Sequence, residues 1–181
     1  VQARRHGPGL VLACSLLVPV AHAADEAGAA SSVATASVPA ALPGMDAVKQ
    51  AIAVLEKDFL GAEASAAANT VMQFANDSKD VSFQISAKTT PWLFGDAKSG
   101  GAEDDVYRQM LLVAYLAGNT RAQLAASKAV DSPLAGWEFA LKTYATLQQA
   151  NAKLKLAELE TLKAQQAKGQ LPAMAKKALQ K

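Results

Sequence analysis

The chain has 181 residues, is 51% hydrophobic and carries a formal net charge of +2. Alanine accounts for 41 of those residues, so bulky core side chains are scarcer than the percentage implies and the composition favours helix. One cysteine and two histidines exclude a disulfide-built scaffold and leave little for imidazole or thiolate chemistry.

The N-terminal stretch has a short basic head (Arg4, Arg5), an apolar run from Leu10 to Val20 and the small-x-small pattern Ala21-His22-Ala23. That pattern predicts a secretory signal peptide over 1–23, cut after Ala23. An apolar run of 11 residues containing Pro19 falls well short of the about 20 residues that span a bilayer. His6-Gly7-Pro8 does not suit a twin-arginine signal, and too few apolar residues precede Cys14 for a lipoprotein box. Cleavage removes Cys14, His6 and His22 together. The expected product is a periplasmic or secreted body of about 158 residues, large enough to fold without disulfides.

From 24 to 43 the residues are small, with two prolines and no periodicity, which predicts a flexible tether. A single helical domain is expected over 44–181. Its first helix, 45–60, carries Val48, Ile52, Leu55 and Phe59 as one stripe, with Asp46 placed for the helix dipole. A second, following Gly61 and running to about 75, turns small alanines plus Val71 and Phe74 inward and stops at Asn76-Asp77-Ser78. Val81, Phe83 and Ile85 alternate with polar residues. With no partner strand in the chain, this predicts one extended connector packed on helices.

Trp92-Leu93-Phe94 and the glycine-rich loop 95–101 follow. A helix over about 103–117 is apolar nearly all round, which marks it as central, with Val106, Met110, Val113, Ala114 and Ala117 on one face. Gly118 then reads as a helix stop, and Thr120 with Gln123 as the capping box of a new helix, so a tight antiparallel hairpin is expected there. Asp131-Ser132-Pro133 opens another helix running to about Ala150, with Trp137, Ala140, Leu141, Tyr144 and Leu147 inward. A helix over about 156–168 ends at Gly169, and Pro172 begins a short basic one. The expected fold is therefore all-α, about six to seven helices in antiparallel hairpins with one extended connector. Residues 114–119, AYLAGN, resemble the end of the first helix of a tetratricopeptide-type unit, which implies helix-hairpin geometry at that turn. A shift of about 34 residues sets Gly118 on Ala152 and Tyr115 on Gln149, so no second copy is in register.

Without histidine or cysteine the mature chain has no Ser-His-Asp or Cys-His site and no usual zinc or copper site. No cofactor or metal is expected. In the 95–101 loop the last glycine is followed by Ala102 and three acids, not by the lysine and hydroxyl of a phosphate loop. Glu103-Asp104-Asp105 lacks the spaced oxygens and distal glutamate of a calcium loop. Two alternatives to a contact role survive: a glutamate-dependent cell-wall hydrolase using Glu63, Glu103 or Glu138, and a carrier of an apolar small molecule. Candidate contact residues are Trp92 and Phe94 beside a proline, Trp137, and Arg121, whose charge calls for an acid from the helix before it or from the alanine-rich second helix.

Residues 43–141 hold 8 basic and 12 acidic side chains, and 142–181 hold 8 basic and 2 acidic. The basic third suits an acidic envelope protein, anionic lipid or cell-wall polymer; one aromatic in it, Tyr144, argues against nucleic acid. The expectation is an exported all-helical interaction or scaffold protein whose partner is another envelope protein.

Overall fold

The computed structural model describes residues 41–95 and 102–180, all inside the unit that starts at Pro39. The predicted signal peptide, most of the tether and loop residues 96–101 lie outside the described residues. Within them the protein is all-α, with α1 Met45–Lys57, α2 Ala64–Asp77, α3 Ala102–Ala126, α4 Pro133–Ala150, α5 Ala157–Ala167 and α6 Leu171–Ala178. A 3-10 turn occupies Pro91–Leu93, and there is no strand among the described residues.

Periodicity and end signals account for most of these elements. The α1 stripe of Val48, Ile52 and Leu55 is buried, as is Phe59 just beyond the helix. The helix stops at Lys57 because Asp58 turns extended and its carboxylate accepts the Leu60 N–H at 3.2 Å. α2 buries Ala64, Ala67, Val71 and Phe74 and ends at Asp77. Pro133 opens α4 as expected, but the Ser132 hydroxyl makes no cap bond. Instead the Ser132 N–H donates to Asn119 Oδ1 at 2.9 Å. Gly169 adopts φ +67, the left-handed conformation that ends α5, and Gln170 N donates back to Gln165 O at 2.9 Å. Between α4 and α5, the Tyr144 hydroxyl accepts from Leu156 N at 3.0 Å and donates to Glu160 Oε1 at 2.9 Å.

The hairpin expected at Gly118 does not form. α3 runs unbroken through it for 25 residues, about 37 Å at 1.5 Å per residue. Glycine serves a different purpose here. A Cβ on Gly118 would sit 2.4 Å from the Ala135 carbonyl oxygen and 2.6 Å from Phe139 Cβ, both on α4. Gly136 of α4 answers it, because a Cβ there would lie 2.4 Å from the Tyr115 ring. Each helix thus lends the other a missing side chain, and packing outweighs the roughly 1 kcal/mol that glycine costs inside a helix. Thr120 and Gln123 are buried in mid-helix, and the Thr120 hydroxyl has no hydrogen-bond partner among the described residues, so neither caps anything. The helix-hairpin implied by AYLAGN is accordingly absent at that place.

The true reversal comes after Ala126, where Ser127 takes φ 51. Tyr115 against Gly136, Gly118 against Ala135 and Asn119 against Ser132 show α3 and α4 running antiparallel. Every residue from Ala114 to Thr120 is buried, so α3 is the central helix, as its all-round apolarity predicts. Val106, assigned to its inner face, is instead 58% exposed, about two helical turns before that buried stretch begins.

Gly118→Ala and Gly136→Ala are each expected to lower the unfolding free energy by about 1–3 kcal/mol in urea titration, the usual overpacking cost. At an open helix position the same change would raise it by about 1 kcal/mol, so a gain at either site would show that the helices do not touch there.

Candidate functional site

Two features concentrate the polar chemistry of the described residues. The first is a buried clamp built from α3 and the turn before α4. Asn119 and Gln123 lie one helical turn apart, and the Gln123 amide donates to Asn119 Oδ1 at 2.7 Å. The same Gln123 side chain satisfies both backbone groups of Ser82, accepting its N–H at 2.8 Å and donating to its carbonyl at 2.8 Å. A neighbouring β-strand would offer that pair of bonds, so a side chain here replaces the strand the connector lacks. Asp131 continues the clamp: Oδ2 accepts from Gln84 N at 3.1 Å, and Oδ1 from Asn119 Nδ2 at 2.6 Å and the Tyr115 hydroxyl at 3.5 Å.

Burial pushes the Asp131 carboxyl above its ordinary value, although its hydrogen bonds oppose that, and burial also pushes the Tyr115 hydroxyl up. Farther along, Thr89 closes the connector on itself by accepting from Ser86 N at 3.0 Å and donating to the Gln84 carbonyl. Trp137 Nε1 donates to Thr89 O at 2.6 Å.

The second feature is at the surface. Glu56 of α1 accepts from Arg121 of α3 at 2.8 Å and faces Lys142 of α4 at 3.6 Å. The Arg121 hydrogen bond holds the Glu56 carboxyl below its usual value. The Arg121 guanidinium also lies over the Phe139 ring, 5.6 Å from its centroid. One carboxylate therefore links three helices. Because α3 is unbroken, Arg121 stands in a helix interior, and its acid comes from the first helix, not from either helix expected to supply it.

Of the other predicted contact residues, Trp92 and Trp137 are core. Both are essentially fully buried, and Trp92 meets Tyr115 edge-on at 6.1 Å. The structure brings these two together at the 89–92 segment, Trp92 through the chain and Trp137 through its bond to Thr89. Phe94 is 56% exposed. Beside it, Arg108 donates to the Trp92 carbonyl and lies 4.0 Å from Glu158. Glu63 is exposed at the start of α2, lining a groove of about 540 Å³ with Asp58 and Lys57, and Glu138 is exposed on α4. The Glu103 side chain lies outside the described residues. No group of three His, Cys, Asp or Glu able to hold a metal occurs among the described residues.

Fold and site define an all-α protein whose buried polar side chains hold its own connector in place. No family model, no curated protein and no solved structure matches the chain.

Gln123→Leu is expected to cost about 1–3 kcal/mol, the penalty for stranding the Ser82 backbone groups. It should also speed hydrogen exchange at the Ser82 amide while amides in mid-α4 stay protected. The Asp131 shift carries a sign. Its folded value lies above 3.8, so the stability it lends is greatest in acid and is lost as pH rises through the folded value. The stability deficit of Asp131→Asn, followed by urea titration from pH 3 upward, should therefore shrink as pH rises. Glu56, held below 4.5, acts oppositely: its contribution is present above that value and fades as pH falls.

Proposed function

We propose that the protein is exported to the cell envelope and acts by contact, as a helical scaffold, adaptor or accessory subunit. The observation that carries this reading is the apolar surface the helices leave uncovered among the described residues. Leu60, Ala68, Met110 and Val113, over the buried Phe59 and Ala64, line a groove of about 330 Å³ between α2 and α3. Leu60 and Val106 remain 46% and 58% exposed. Side chains of this kind, rimmed by polar ones, mark places where proteins meet.

The address at 1–23 supports export, and no helix among the described residues is long and apolar enough to cross a membrane. The basic last third supports a negatively charged neighbour, and α6 presents Lys176 and Lys177 in its last turn, both exposed.

Cross-linking in intact cells of the native host, followed by mass spectrometry, should recover the protein joined to another envelope protein, and N-terminal sequencing should begin at Ala24. A strictly monomeric protein with no joined partner, or an intact His22, would overturn the reading.

A further inference from the structure

The α1 surface carries a groove whose form and charge name its occupant more closely. On α1, Met45, Lys49, Ile52, Ala53 and Glu56 follow one another at helical spacing along a single face. Opposite them stand Arg121, Leu124 and Ala125 of α3. Ile52, Ala53, Leu124 and Ala125 form the floor of a cleft of about 360 Å³. Leu124 also lines a neighbouring cleft of about 270 Å³ that reaches Met45, Lys79 and Lys128, so the two adjoin at Leu124. From Met45 to Glu56 the trough is about 17 Å long at 1.5 Å per residue, three turns of a helix.

Its rim is cationic where its surroundings are not. Lys49, Arg121, Lys79 and Lys128 line it, against Glu56 and Asp80, which makes the rim net +2. The stretch 43–142 as a whole holds 9 basic and 12 acidic residues, net −3. The cations stay available to a partner, since the side chains of Lys49 and Arg121 are 62% and 48% exposed and meet their carboxylates at the surface.

We propose that this trough is a docking site for an amphipathic helical segment of a partner protein, with an apolar ridge for the floor and acidic flanks for the rim. Two helices with an apolar floor between them accept a third through its i, i+3, i+4, i+7 ridge. The rim then selects the sign of the flanks and gives the encounter a salt dependence. The inference rests on the contact reading above and gives it a surface and a partner chemistry.

The test uses the chain from Ala24 onward and two synthetic 15-residue helices sharing one leucine ridge, flanked by glutamate in one and lysine in the other. Fluorescence anisotropy should show the glutamate peptide binding at least tenfold more tightly, with the preference collapsing in high salt. Ala53→Glu, at an exposed position that leaves the circular dichroism unchanged, and Arg121→Glu should each weaken it at least tenfold, and the NMR shifts it causes should fall on Ile52, Ala53, Leu124 and Ala125. Equal binding of both peptides, unaltered binding by Ala53→Glu, or shifts elsewhere would overturn the proposal, as would displacement of the peptide by phosphatidylglycerol vesicles. In cells, a photo-cross-linking residue at Ala53 should capture an acidic amphipathic segment. A basic segment or a second copy of this chain at that position overturns the groove assignment, while partners joined through other faces leave the contact role standing.

Discussion

The fold turns on how closely α3 and α4 approach. Two glycines, one on each helix, receive the neighbour's bulk: Gly118 takes Ala135 and Phe139, and Gly136 takes the Tyr115 ring. This mutual inset is what brings Asn119 within reach of Ser132 and Asp131, and hence what sets the buried polar clamp. With helix axes a side chain farther apart, hydrogen bonds of 2.6–2.9 Å between these residues would open, and a buried carboxylate would lose its donors. The connector's place in the fold thus descends from two absent Cβ atoms.

Much of the architecture was legible because apolar residues repeat at helical spacing and the end signals are local. Met45, Asp77, Pro133 and Gly169 all mark helix ends at or within a few residues of their predicted positions. The strandless connector packed on the helices was legible too, from the alternation of Val81, Phe83 and Ile85, with Val81 and Phe83 on the core even though Ile85 finishes 43% exposed. At Gly118 the local reading failed. Glycine followed by Thr-x-x-Gln has the chemistry of a stop and a start, but the same residues also suit a helix that must admit a neighbour and bond a loop. Which role prevails depends on α4, whose position no local pattern reveals.

The polar sites were harder to see for the same reason. Glu56 and Arg121 are 65 residues apart, and Gln123 and Ser82 are 41 apart. One signal was available: Asn119 and Gln123, spaced by four just past the apolar run 110–117, are where a buried helix carries polar groups that need partners. Trp92 and Trp137 drew notice as large aromatics, and it is burial rather than contact with a partner that explains both.

The indole bond from Trp137 to Thr89, with Trp92 only three residues further along the chain, gives the molecule a consequence of its own. Both emitting side chains adjoin one short stretch of backbone, so the protein's intrinsic light emission reads the seating of the connector as well as the packing of the helices. Partial loosening of residues 81–90 would redden that emission while helical content stayed whole, and the two signals would part company wherever the connector lifts before the bundle melts.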